Sequence, residues 1–173
     1  VGRAATGAVA HADLEGRPAE ADTIYRSLLD RADVSPLQKA IVANNLAFHL
    51  ATPETAAEAD RLVASAIETL GPHPDLLDTR GMVRLALGQD REALADLEEA
   101  ALAPSDVKLL HLAYARLRNG DRKAAGKALE EGRKKGLASN RLTAADQARL
   151  EELEKALDET TEQAGDGVPG VRS

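Results

Sequence analysis

The chain has 173 residues, with 22 Lys and Arg against 29 Asp and Glu, a net charge of −7 and no cysteine. That length holds one ordinary domain with its own core. The missing thiols exclude disulfides, thiolate zinc sites, iron–sulfur clusters and a cysteine nucleophile, and the acidic balance argues against nucleic acid or an anionic membrane as partner. With one Phe, two Tyr and one Met, the apolar content is mainly alanine and leucine, which favours closely packed helices and an all-α class. No apolar run approaches the roughly 20 residues of a membrane span, and the opening VGRAATGAVAHADLEG lacks the apolar stretch of a signal peptide. The compartment stays open, with the cytoplasm as the default. Because the chain begins at Val1 rather than Met, it is expected to be a piece of something longer.

Residues 3–15 carry Ala4, Ala5, Ala8, Val9 and Ala12 and are predicted as a first helix ending at Gly16. Its small apolar residues suit stacking on preceding helices or self-association. Ala21, Tyr25 and Leu28 mark the packed face of a second helix, and the turn ADVSP leads to Leu37. After the segment NNLAFHLA, Thr52 is predicted as an N-cap with Pro53 at the first helical position. The segments DTRGMVRLALG and LHLAYARLRNG end at Gly88 and Gly120, where helices are expected to stop. Beyond residue 137, Thr143 is predicted to cap a last amphipathic helix over about 142–159, with Leu150, Leu153 and Leu157 on one face. Residues 161–173 lack periodicity and are expected to form a disordered tail.

These segments share a register. Ala47, Gly81 and Ala113 are 34 and 32 residues apart; Ala59, Ala93 and Ala125 repeat those intervals, as do Ala66, Ala100 and Gly132. Small residues recurring at one helical turn mark where two helices approach closely. A period near 34 with two helices per unit resembles the tetratricopeptide repeat family, over roughly residues 3–137. The third unit fits best, with Leu77, Gly81, Gly88, Ala93, Leu97 and Ala100 at family positions and Pro104 one place early. The family's first-helix aromatic is replaced by Leu50, Arg84 and Arg116. The resemblance implies a right-handed α-solenoid of about four helix pairs, over approximately 3–35, 36–72, 73–104 and 105–137. A closing helix, covering the last pair, would complete a domain of residues 1–160.

Chemistry is sparse. The four histidines, His11, His49, His73 and His111, lack the spacing of a metal site, and no nucleophile elbow, Walker loop or dinucleotide fingerprint occurs. No catalytic residue, metal or cofactor is expected. The basic run Arg133–Lys135 reads as helix-terminal cations with Glu130 and Glu131 four residues before Lys134 and Lys135.

Phe48, Met82 and Tyr114 each follow a small residue of the repeat and form one column in three consecutive first helices. The resemblance places that column, with Asn44, Asn45, Asp78, Thr79, His111 and Arg118, on a concave groove that binds a peptide or protein. The column reads equally as core between repeats. The family's clamp for chaperone C-termini would need a lysine and an arginine where Asp75 and Thr79 stand, so that ligand is not implied. The expected function is a protein–protein interaction module; the alternative is a structural segment of a longer solenoid, stacking through its first repeat.

Overall fold

In the computed structural model, residues 18–165 are described, with side chains for 19–159. Among them the chain is all-helical: α1 (Pro18–Asp30), α2 (Pro36–His49), α3 (Ala56–Leu70), α4 (Pro74–Ala86), α5 (Asp90–Ala100), α6 (Asp106–Arg118), α7 (Arg122–Lys134), a 3₁₀ turn (Ser139–Arg141) and α8 (Ala144–Gly165). The helix expected over 3–15, and the self-association face assigned to it, lie outside the described residues. The last helix continues to Gly165, past the tail boundary expected at 161. No helix among the described residues is long and apolar enough to cross a membrane.

Local chemistry sets the helix ends. Ser35 caps α2 in a reciprocal box with Gln38, followed by Pro36 at the first turn. Ser105 accepts from the backbone N–H of Lys108, and Asp121 from that of Ala124. Gly88 closes α4 at φ +74°: its N–H donates to the Leu85 carbonyl while that of Gln89 reaches back to Arg84. Gly120 closes α6 in the same way, at φ +83°. Both are Schellman caps, which need the left-handed conformation that glycine adopts without strain. The Thr52 cap is corrected. The Thr52 carbonyl instead opens a turn by accepting from the N–H groups of Thr55 and Ala56, and α3 starts one turn later, at Ala56. The Thr55 hydroxyl is drawn back to the Leu50 carbonyl at 2.7 Å, so it supplies no cap to the helix.

Consecutive helices from α1 to α7 pack along the chain, and α2 also meets α4, α4 meets α6 and α6 meets α8, so the even-numbered helices form a row. The repeating small residues lie where the register puts them: Ala47, Ala59, Ala66, Ala93, Ala100, Ala113 and Ala125 have no exposed surface. At Gly81 the approach is closest, since a Cβ there would stand 2.5 Å from Leu97 Cγ on the facing helix. Arg84 reaches Asp96 at 2.6 Å, and the same carboxylate takes two bonds from Arg80, at 2.7 and 2.8 Å. This charge-assisted fork joins α4 to α5.

Ala93, on α5, has no exposed surface and belongs to the main core. Ala93→Leu is expected to overpack the α4–α5 pair and lower stability by about 1–3 kcal/mol, read as a shifted midpoint in urea; an unchanged midpoint would place Ala93 outside the pair contact.

Candidate functional site

The site grows from the row of α2, α4 and α6. Three helices side by side can bring first and third into contact only if the row curves, and Phe48 of α2 does lie against the His111 ring of α6, with centroids 5.8 Å apart. His111 has no exposed surface. Its Nδ1–H donates to Asp78 on α4 at 2.9 Å, and its Nε2–H donates to Asp146 on α8 at 3.1 Å. Asp146 also accepts from the Thr143 hydroxyl at 2.9 Å and from Arg149 at 2.8 Å, while its own N–H donates to Thr143, the N-cap expected for this helix. A few residues along, the Tyr114 hydroxyl donates to Glu152 at 2.8 Å. Leu150 and Leu153 bury the remainder of the α8 face.

Burial by itself would push His111 down. The Asp78 charge and the hydrogen bonds to both carboxylates outweigh it and raise the imidazole to about 9. For Asp146, burial pulls upward but His111, Arg149 and Thr143 win, holding the carboxyl at about 2. At neutral pH the cluster is therefore an imidazolium between two carboxylates. Both ring nitrogens are committed to different carboxylates, so the three groups do not converge on a metal, and among the described residues no such group is placed to hold one. The sealed imidazole has no route to a solute. Its role is to join α4, α6 and α8.

Of the nine residues expected on a binding surface, Asp78, Thr79, Met82, His111 and Tyr114 are buried. Met82 and Tyr114 belong to the main core with Phe48 packed against it, which decides the column largely in favour of core. The Thr79 hydroxyl turns back to its own helix at the Asp75 carbonyl, 3.2 Å away. Arg118 sits at the rim, paired with Asp90 at 3.1 Å. Asn44 and Asn45 are half-buried, and the Asn44 side-chain oxygen, itself enclosed, has no hydrogen-bond partner among the described residues.

Reading the sequence missed two groups. Leu37 and Ile41 are 58% and 54% exposed and share the face of α2 that carries Asn44, Asn45 and Phe48, as their spacing of four, then three or four, then seven from Ile41 to Phe48 allows. Asp146 and Glu152 were hidden because their partners lie 35 and 38 residues away, on another helix. A cleft of about 280 Å³ runs between Pro53, Met82, Tyr114 and Arg149, where α8 meets the row. A larger one, about 780 Å³, lies between α1, α2 and α3, lined by Leu29, Val34, Lys39, Arg61 and Leu62. It has no part in the ionic cluster.

His111→Gln is expected to cost about 3–5 kcal/mol at pH 7, because it leaves two carboxylates buried without their cation. The His111 contribution is complete below the ordinary value of 6.5 and is lost as pH rises through about 9; that of Asp146 is complete above 3.8 and is lost as pH falls toward about 2. Denaturant midpoints at pH 5, 7 and 9.5 check this: the gap between wild type and variant should narrow at 9.5, and a constant gap would refute the charged state.

Compared with known proteins, the chain matches no family model, no curated relative and no solved structure, so the functional reading rests on the geometry just described.

Proposed function

We propose that the chain is a right-handed α-solenoid of the tetratricopeptide type whose concave face, the inward side of α2, α4 and α6, binds a peptide or protein partner. The 32- and 34-residue register and the row of even-numbered helices support the solenoid. The observation that carries the binding role is the open end of that face. Leu37 and Ile41 stand exposed on the same helix face as half-buried Phe48; among the described residues only Leu102, at a separate place in the loop after α5, is a more exposed large apolar residue. Exposed leucine or isoleucine is unremarkable singly; two on one helix face, continuous with an aromatic and two asparagines, make a contact surface.

Asn44 adds polarity to the same surface. Its half-buried side chain and that of Asn45 border the exposed Ile41 and give the surface a polar edge. The recognition surface is thus narrower than the nine residues expected from the sequence: it centres on Leu37, Ile41, Asn44, Asn45 and Phe48, with Arg118 at the rim. The buried residues Asp78, Met82, His111 and Tyr114 shape it from beneath.

A displayed library of random peptides selected on the full chain tests this reading. Enriched peptides are expected to share a motif and to bind Ile41→Asp at least about tenfold more weakly, with the melting temperature of that variant nearly unchanged because the side chain is exposed. Failure to enrich any motif, or equal binding to both proteins, would remove the α2 face as a binding surface.

A further inference from the structure

We infer that the partner accepted by this face is an acidic amphipathic helix, and that α8 is its intramolecular competitor. The inference rests on the binding role proposed above and names the class of ligand.

The α6 end of the row offers donors. His111 Nε2–H and the Tyr114 hydroxyl face α8, and each meets a carboxylate there, Asp146 and Glu152 respectively. Between those acids Leu150 lies buried, with Leu153 following one residue after Glu152. Asp146, Leu150 and Leu153 share the buried face of α8, and exposed Glu152 reaches the Tyr114 hydroxyl from its flank, so a helix with a buried acid, two leucines and a flanking acid is what this surface holds. At the α2 end, Leu37 and Ile41 continue the apolar part of the surface beyond the reach of α8, since they remain exposed.

Apart from its ionic anchor at Asp146, α8 buries few side chains for its length. Over residues 144–159 it buries three side chains, Asp146, Leu150 and Leu153, whereas the 13 residues of α6 bury seven. It packs on α6 without the extensive contact to the preceding α7 that α4 and α6 make with α3 and α5. From α7 it receives peripheral bonds, Arg122 to the Ala156 carbonyl and Arg133 to Glu154. The connection from Lys135 to Thr143 contains only the 3₁₀ turn. A helix with few buried apolar contacts on a short non-helical tether can exchange for another without global unfolding, provided the incoming helix supplies His111 with a carboxylate in place of Asp146, so that the buried charge is not left alone.

The probe is a fluorescein-labelled peptide of residues 142–160 of this chain, titrated by anisotropy into the full-length protein and into full-length Leu150→Ala/Leu153→Ala. The doubly substituted protein is expected to bind the peptide at least about tenfold more tightly than wild type. A peptide carrying Asp146→Asn and Glu152→Gln should lose at least about tenfold against the same protein. Equal binding to both proteins would overturn the competition, and indifference to the charges would overturn the acidic class. Should the double variant fail to fold, amide exchange in the wild-type chain decides: α8 amides are expected to exchange at least about tenfold faster than those of α6, and identical rates in both helices would sink the idea. Library peptides that bind the α2 face but are neither acidic nor displaced by the 142–160 peptide would defeat this inference alone; absence of any library ligand would defeat the binding role itself.

Discussion

A charged imidazole with no exposure to solvent must be matched from both sides, and His111 is matched by carboxylates 33 residues before it and 35 after it. That one side chain fixes the relative placement of three helices. Hydrophobic contacts between alanine-rich helices are small and tolerate sliding, since a methyl group interlocks weakly with its neighbours. An ion cluster with two directional bonds from a planar ring does not tolerate it. The desolvation cost makes such a cluster poor as a source of net stability, but any shift that separates its members leaves a buried charge alone, which is far costlier. Registry between α4, α6 and α8 is therefore enforced by penalty rather than by gain.

The helical register was legible in the sequence because it is written in residues whose reason is local or pairwise. Gly88 and Gly120 end helices for backbone reasons that need no knowledge of the fold. Ala59, Ala93 and Ala125 recur because each lies buried in a helix pair of the same kind. What the sequence could not carry was partnership between helices. Arg84 and Arg116 read as departures from a family pattern, whereas Arg84 answers Asp96 twelve residues on and Arg116 lies 3.5 Å from Glu98. Thr52 failed as a cap for a different reason: Thr-Pro satisfies the local rule, but three further residues of turn separate it from the helix.

The Phe48, Met82 and Tyr114 column left two readings open, and the molecule divides them along its length. Met82 and Tyr114 sit under α6 and α8 as core, while Phe48, farther from α8, is only half covered. The same column is interior at one end and boundary at the other because α8 covers one end. Equivalent positions in a repeat have equivalent environments only while their neighbours repeat too, and at the end of an array they do not. Asp146 belongs to that non-repeating part, which is why no periodicity pointed to its pairing with His111.

The tether sets a condition on any partner that uses this face. A segment joined through Lys135–Thr143 presents α8 to the row at an effective concentration in the range of about millimolar. A free helix making only the contacts α8 makes would lose to it at ordinary cellular concentrations, since the apparent affinity falls by the fraction of molecules in which α8 is open. A partner that wins must therefore gain from groups α8 leaves untouched. Those are Leu37 and Ile41, both exposed on α2. On the proposed binding role, the open end and the occupied end of the face pose one recognition problem: the acids of a ligand would replace Asp146 and Glu152, and its apolar residues on α2 would tip the exchange in its favour.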